Sequence, residues 1–314
     1  MDLLSDILSC LRLTGTLYFR TSFTAPWSIQ VPAFENVARF HFAHRGRCLV
    51  RIGDDGPRVE LAQGDLVIIT RGAAHLLFAD PASEHQPVQL DDVLEASGFS
   101  GDGALVYGDS GSGHDTQLVC GHFAFDADAS HPVIDALPAH IHIRDYGEAA
   151  GTWMEQTLRV IGAEAGRGDM GSDLIALKLS EIVFAQALRT YLLAEGADRP
   201  GLAGLADPAL ARAIAAVHRD PARDWSLEDL AAEAAQSRTT FVTRFSQRMA
   251  MTPFAYLTHW RMQIARRRLA AEGAAIIDVA ESVGYGSEAA FGRVFKKHFG
   301  VTPARYRRAS SSAA

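Results

Sequence analysis

The stretch Ser287–Arg307, SEAAFGRVFKKHFGVTPARYR, decides how this chain is read, because it has a counterpart fifty residues upstream. Ser237–Leu257 runs SRTTFVTRFSQRMAMTPFAYL, and Ser237, Phe241, Phe245, Thr252, Pro253 and Tyr256 recur as Ser287, Phe291, Phe295, Thr302, Pro303 and Tyr306. The preceding segments correspond too, WSLEDLAAEAAQS (Trp225–Ser237) with AIIDVAESVGYGS (Ala275–Ser287). Self-similarity at one fixed offset is an internal repeat, so one supersecondary unit occurs twice.

Each copy predicts two short helices joined by a tight turn. Ser226 is placed to cap the first helix with Asp229 three residues on, close to a capping box, and Ser237 caps the second. Gly284 serves the turn of the second copy. Phe241 and Phe245, four apart, share the buried face of their helix, as do Phe291 and Phe295. The outer faces then carry Arg238, Thr239, Val242 and Thr243, with Arg244 and Arg248 nearer the edge, and Glu288, Ala289, Gly292 and Arg293. Short side chains on such a helix allow close approach to base edges in a major groove, and Arg suits guanine. Between the copies, TPFAYLTHWRMQIARRRLAAEG reads as one helix of about 18 residues, or about 27 Å. A spacer of that size suits two recognition helices set about one DNA turn, roughly 34 Å, apart. Arg261, Arg266, Arg267, Arg268, Lys296 and Lys297 are the expected phosphate contacts.

The charge distribution agrees. From Pro208 onward there are sixteen Lys and Arg against nine Asp and Glu, a surplus of seven positive charges in a chain of formal net charge −7. A basic module on an acidic one implies a polyanionic partner for the basic end. The whole chain, 314 residues and 48% hydrophobic, has room for about two domains. Three cysteines fit a reducing compartment, no apolar run is long enough for a transmembrane helix, and the acidic N-terminus MDLLSDILSC is unlike a secretory signal. A cytoplasmic protein without membrane contact is expected.

The residues before Arg144 alternate short apolar runs with Gly, Pro and Asp, as in RCLVRIGDD, GDLVIITRGAAH and TQLVCGHFAFD, and read as short strands joined by turns. From about Asp145 to Glu195 the pattern turns helical, with more apolar surface than one packed face needs, which suggests a homodimer seam. The fold class is α+β: an N-terminal β-rich module with a helical pair, then an all-α double helix-turn-helix. The expected boundaries are 1–196, a linker at 197–207, and 208–310.

The C-terminal motifs resemble the AraC/XylS family of bacterial transcription regulators, over roughly Asp207–Arg307. The resemblance implies base contacts from Thr239, Val242 and Thr243 in the first recognition helix, and from Glu288, Ala289, Gly292 and Arg293 in the second. Thr243 stands where many relatives show Arg, a departure for which Arg238 or Arg244 would compensate. Promoter DNA is the implied macromolecular partner, with RNA polymerase as a further candidate; activation and repression of transcription both stand open.

Upstream, GDLVIITRGAAH (Gly64–His75) is similar to the second cupin motif, with Gly64, Gly72 and His75 in place and Thr70 where the motif has Pro, which implies that the N-terminal module is a cupin-like β-barrel. The first-motif region, RFHFAHRG, puts His41 and His44 on opposite strand faces and lacks the Glu of a catalytic cupin. His41, His75 and Cys120 are nevertheless candidates for a soft zinc site. Two alternatives stand beside it: a buried thiol with hydrogen-bonded histidines, and a redox-sensing Cys120 thiolate, which needs a lowered pKa. The function expected is a DNA-binding regulator controlled by a small-molecule effector or by a redox or metal signal. The competing class is a metal-dependent cupin enzyme fused to a DNA-binding domain.

Overall fold

In the computed structural model, the described residues are 2–11, 13–100, 104–108, 115–126, 129–144, 156–157, 160, 164, 169–271 and 275–311. The chain divides into two compact units: a strand-rich one of residues 13–127 and 137–191, and a helical one built from 1–12, 128–136 and 192–314.

The strand-rich unit holds eleven strands among the described residues: β1 (Leu13–Thr24), β2 (Ser28–Val31), β3 (Val37–Arg45), β4 (Cys48–Ile52), β5 (Arg58–Leu61), β6 (Leu66–Ile69), β7 (His75–Phe78), β8 (Val88–Gln89), β9 (Ala104–Tyr107), β10 (Asp115–Phe125) and β11 (His140–Ile143). They form a six-stranded sheet, β11-β6-β3-β10-β1-β9, and a five-stranded sheet, β5-β4-β7-β2-β8. Pairing is antiparallel except for β1 with β9 and β2 with β8. The expected barrel thus takes the form of two sheets, which share one core containing Phe23, Ile29, Val50, Leu77 and Leu118. Strand alternation sets what each face carries. On β3, Phe40 turns one way and stacks on Phe123 of β10, which in turn meets Phe184. Arg39 and His41 turn the other way, toward the cavity described below. Helix α2 (Leu90–Ser97) lies beside β2, β8 and β9. A long helix, α4 (Ser172–Glu195), belongs to this unit through Tyr191. Most of the expected helical stretch before it lies outside the described residues.

The helical unit begins with α1 (Leu3–Leu11), continues with the one-turn α3 (Pro132–Asp135), and is completed by α5 (Ala203–Ala206), α6 (Pro208–Arg219), α7 (Leu227–Glu233), α8 (Arg238–Met249), α9 (Pro253–Ala270), α10 (Ile276–Ser282), α11 (Glu288–Phe299) and α12 (Pro303–Ser311). Part of the segment read as a linker is folded: Leu202 and Ala203 are buried, and Gly204 packs against Met249. Its apolar residues find a core, so they do not stay solvated.

The capping logic holds in detail. Ser226 accepts from Asp229 N–H while the Asp229 side chain accepts from Ser226 N–H, a complete capping box. Ser237 and Ser287 cap α8 and α11 in the same way, each accepting from the N–H three residues on. Both of these helices stop at the same repeat position in a left-handed residue, Ala250 (φ 55°) and Gly300 (φ 75°). Gly284, at φ 82°, makes the α10–α11 turn, where an added Cβ would fall 2.6 Å from the Ala222 carbonyl oxygen.

Candidate nucleic-acid interface and cavity

Two recognition helices, α8 and α11, are held by aromatic anchors. Phe241, Phe245, Phe291 and Phe295 are all buried, with ring pairs at 5.5 Å in each helix. Tyr256 of α9 meets Phe245 edge-on, and Tyr306 of α12 meets Phe295 edge-on. The repeat seen in sequence is therefore a repeat in packing. The spacer α9 is one 18-residue helix and contacts both recognition helices.

With the phenylalanines inward, Arg238, Thr239 and Thr243 are exposed on α8 and Val242 partly so; on α11, Glu288, Ala289 and Arg293 are exposed. An added Cβ at Gly292 would meet nothing within 4 Å, so that part of the helix surface is open. Lys296, Lys297, Arg267 and Arg268 are also exposed.

Not every arginine faces outward. Arg244 donates to the buried carboxylate of Asp207 through Nε and Nη2, both at 2.6 Å, and Arg248 Nε lies 3.5 Å from the same carboxylate. Asp207 also caps α6, accepting from Ala209 and Leu210 N–H. Arg244 thus ties the first recognition helix to α6. Arg261 donates to the carbonyls of Pro221 and Arg223. Arg266 is buried and donates to Gln263 Oε1 and the Cys10 carbonyl. Of the arginines expected at phosphates, Arg261 and Arg266 are internal fasteners. Arg238 keeps an exposed 3.2 Å pairing with Glu228, of the weak, solvated kind.

A buried polar chain, not expected from the sequence, joins α1, α3, α6 and α9. His131 caps α3, its Nδ1 accepting from Val133 N–H, so its Nε2 carries the proton and donates to Tyr256 Oη at 3.2 Å. Tyr256 Oη then donates to His218 Nε2 at 2.8 Å, which leaves the proton on His218 Nδ1 to reach Asp6 Oδ2 at 3.3 Å. His218 stacks on Trp260 at 3.7 Å. Burial pushes the His218 pKa down to about 3 despite the carboxylate alongside, so the Asp6 contact is a hydrogen bond from neutral imidazole rather than an ion pair.

In the strand-rich unit a cavity of about 360 Å³ opens between the sheets and α2. His41, His75 and Cys120, separated by 34 and 79 residues in sequence, do come together beside it. They form a relay. His75 Nδ1 donates to the Ala73 carbonyl at 3.0 Å, leaving Nε2 to accept from His41 Nε2 at 2.8 Å. His41 Nδ1 is then the acceptor for the Cys120 thiol at 3.1 Å. Cys120 and His75 address opposite nitrogens of the His41 ring, so no single point is shared by all three donors. Among the described residues no group of three or more His, Cys, Asp or Glu is disposed to hold a metal ion. As arranged, this donor set does not fit zinc; it fits the hydrogen-bonded alternative. Burial also raises the Cys120 pKa well above the usual thiol value, the opposite of what a redox thiolate requires. Desolvation lowers both histidines, His75 to about 4, so the relay is neutral at physiological pH.

Sequence reasoning missed Arg39. It sits two residues before His41 and so shares its strand face, a signal that attention to histidine spacing overlooked.

Residues 2–193 match the family model described as "Cupin", and residues 230–309 match the one described as "Helix-turn-helix domain". The chain is 34% identical to a putative AraC-like transcription regulator of Streptomyces lividans, over 98% of each chain. It is 32% identical to a putative AraC-like transcription regulator of Streptomyces antibioticus, over 98% of this chain and 99% of that one. Identity to the HTH-type transcriptional regulator AlkR of Acinetobacter baylyi is 28%, over 99% and 100%. A cupin domain followed by a helix-turn-helix domain defines a DNA-binding transcription regulator. The chain belongs to the AraC-like family of these regulators. Among the described residues, no helix is long and apolar enough to cross a membrane.

Proposed function

We propose that this chain is a sequence-specific promoter-binding regulator, acting in the cytoplasm, whose strand-rich unit takes a small effector that alters DNA affinity. The observation that carries the first part is the pair of capped, aromatic-anchored helices, each presenting an exposed face with small side chains and a nearby cation. Arg293 is the base-reading residue of the second helix; Lys296, Lys297, Arg267 and Arg268 hold phosphates and set register. Arg238 reads for the first helix with Thr239, Val242 and Thr243. The second part is supported by the apolar cavity, whose volume falls in the range of small-molecule sites. Coupling is by linkage: an effector changes DNA affinity only as far as it binds the two conformations differently. The regulator works as a homodimer, formed by a second copy against the exposed Leu174, Ile175 and Ile182 of α4.

Fluorescence anisotropy on matched duplexes tests the DNA reading. Arg293→Ala should cost about 1–3 kcal/mol on cognate DNA and little on random DNA, whereas Lys297→Ala should weaken both alike and lower the salt slope by about 1. Equal loss on both duplexes for Arg293→Ala would make it a phosphate contact. Sedimentation showing a monomer at micromolar concentration would rule out the α4 seam.

A further inference from the structure

We propose that the cavity of the strand-rich unit binds a small apolar monocarboxylate, whose carboxylate pairs with Arg39. The inference deepens the effector reading above and rests on it for any consequence at DNA.

The lining is mostly hydrophobic, with Phe19, Phe23, Leu77 and Leu105 among its walls, so the body of the ligand must be apolar. Arg39 breaks that pattern. Its guanidinium lies 4.3 Å from the Phe34 ring centroid, and its Nε is buried with no hydrogen-bond partner. Among the described residues no carboxylate forms an ion pair with it. A buried donor on a permanent cation is costly to leave unanswered, and an incoming anion answers it. The remaining polar groups of the lining set the size of that anion's charge. His41 has both nitrogens engaged in the neutral relay, and Cys120 holds its proton. Burial pushes His122 toward the neutral form. Arg39 is therefore the permanent positive charge of the site, matched by one negative charge. A phosphate dianion would bring a second charge that finds no cation here. Asp91, exposed on α2 at the edge of the cavity, opposes it further. A carboxylate also presents two oxygens to the guanidinium fork.

Isothermal titration of the full-length protein tests this, with octanoate and phenylacetate compared against octanamide and phenylacetamide. Each acid should bind about tenfold or more tightly than the amide of the same skeleton. Arg39→Met, which keeps length and apolar volume, should erase that preference, and Arg39→Lys should retain part of it. Asp91→Asn should leave acid binding unchanged or tighter. Amides binding as well as acids, a preference that survives Arg39→Met in protein melting like wild type, or no acid binding at millimolar concentration would each overturn the proposal. DNA anisotropy with the same compounds separates it from the effector reading. Acid binding that leaves DNA affinity unchanged would preserve the carboxylate site and sink effector control. An amide that shifts DNA affinity while the acids do not bind would do the reverse.

Discussion

Removing one oxygen atom from Tyr256 is the sharpest test of how the helical unit is held together. Tyr256→Phe keeps the ring that meets Phe245 and changes little volume, so the perturbation is confined to the polar chain. The lost hydroxyl accepts from His131 Nε2–H and donates to His218 Nε2, and both imidazoles are buried. Each is left with an unanswered polar atom, at about 1–3 kcal/mol apiece. Partial relaxation brings the expected total to about 2–4 kcal/mol, which lowers the melting temperature of a unit this size by roughly 5–12 °C. The assay is thermal unfolding of the full-length protein, read alongside amide exchange in α3 and α6. Exchange should rise at both helices in the variant, because His131 is the cap of α3 and His218 lies in the last turn of α6. A melting temperature within one degree of wild type would refute the directional chain, since it would mean the hydroxyl is replaced by water at no cost.

Three further outcomes follow from the same geometry. His218 has a folded-state pKa of about 3 against an ordinary 6.5, so the unfolded chain holds more protons between those values. Stability is then full above pH 6.5 and falls as the pH drops, by about 1.4 kcal/mol per pH unit for this histidine. His131 and His259 are shifted the same way, whereas Asp6, raised by burial, works the other way only near its own lower pKa. A melting temperature that stays flat from pH 7 to pH 5 would contradict this. At the ends of the recognition helices, Ala250→Gly should stabilise by about 1 kcal/mol and Gly300→Ala should cost a similar amount, because both positions are left-handed and only one carries glycine. Chemical unfolding that moves both variants in the same direction would show that another contact governs those ends. Cys120 should react slowly with iodoacetamide at pH 7 in the native protein, its thiol being protonated and buried. Labelling as fast as for a free thiol would restore the redox alternative.

Local and repetitive features were legible in the sequence, and long-range ones were not. The serine caps, the capping box, the phenylalanine pairs and the 18-residue spacer depend on neighbours within a few positions, and each is found where the pattern put it. Which arginines stay exposed was not legible. Arg244, Arg261 and Arg266 look alike as charges on helices, yet their partners lie 37, 40 and 256 residues away. Nor could a sequence pattern show that α1 and residues 128–136 pack with the C-terminal helices, since His218 reaches across 212 residues to Asp6. In the strand-rich unit the meeting of His41, His75 and Cys120 was foreseeable from strand parity. Their mutual orientation was not: whether two ring nitrogens converge or oppose depends on side-chain torsions. Arg39 went unread for a simpler reason, being a single charge inside an apolar wall with no motif to mark it.

If two helices read DNA from one spacer helix, they need two half-sites on one duplex. Selection of full-length protein on a random duplex pool tests that most directly. Two conserved blocks centred about 10 bp apart should be enriched, one for each recognition helix. Enrichment of a single short block, or no enrichment beyond nonspecific binding, would contradict it.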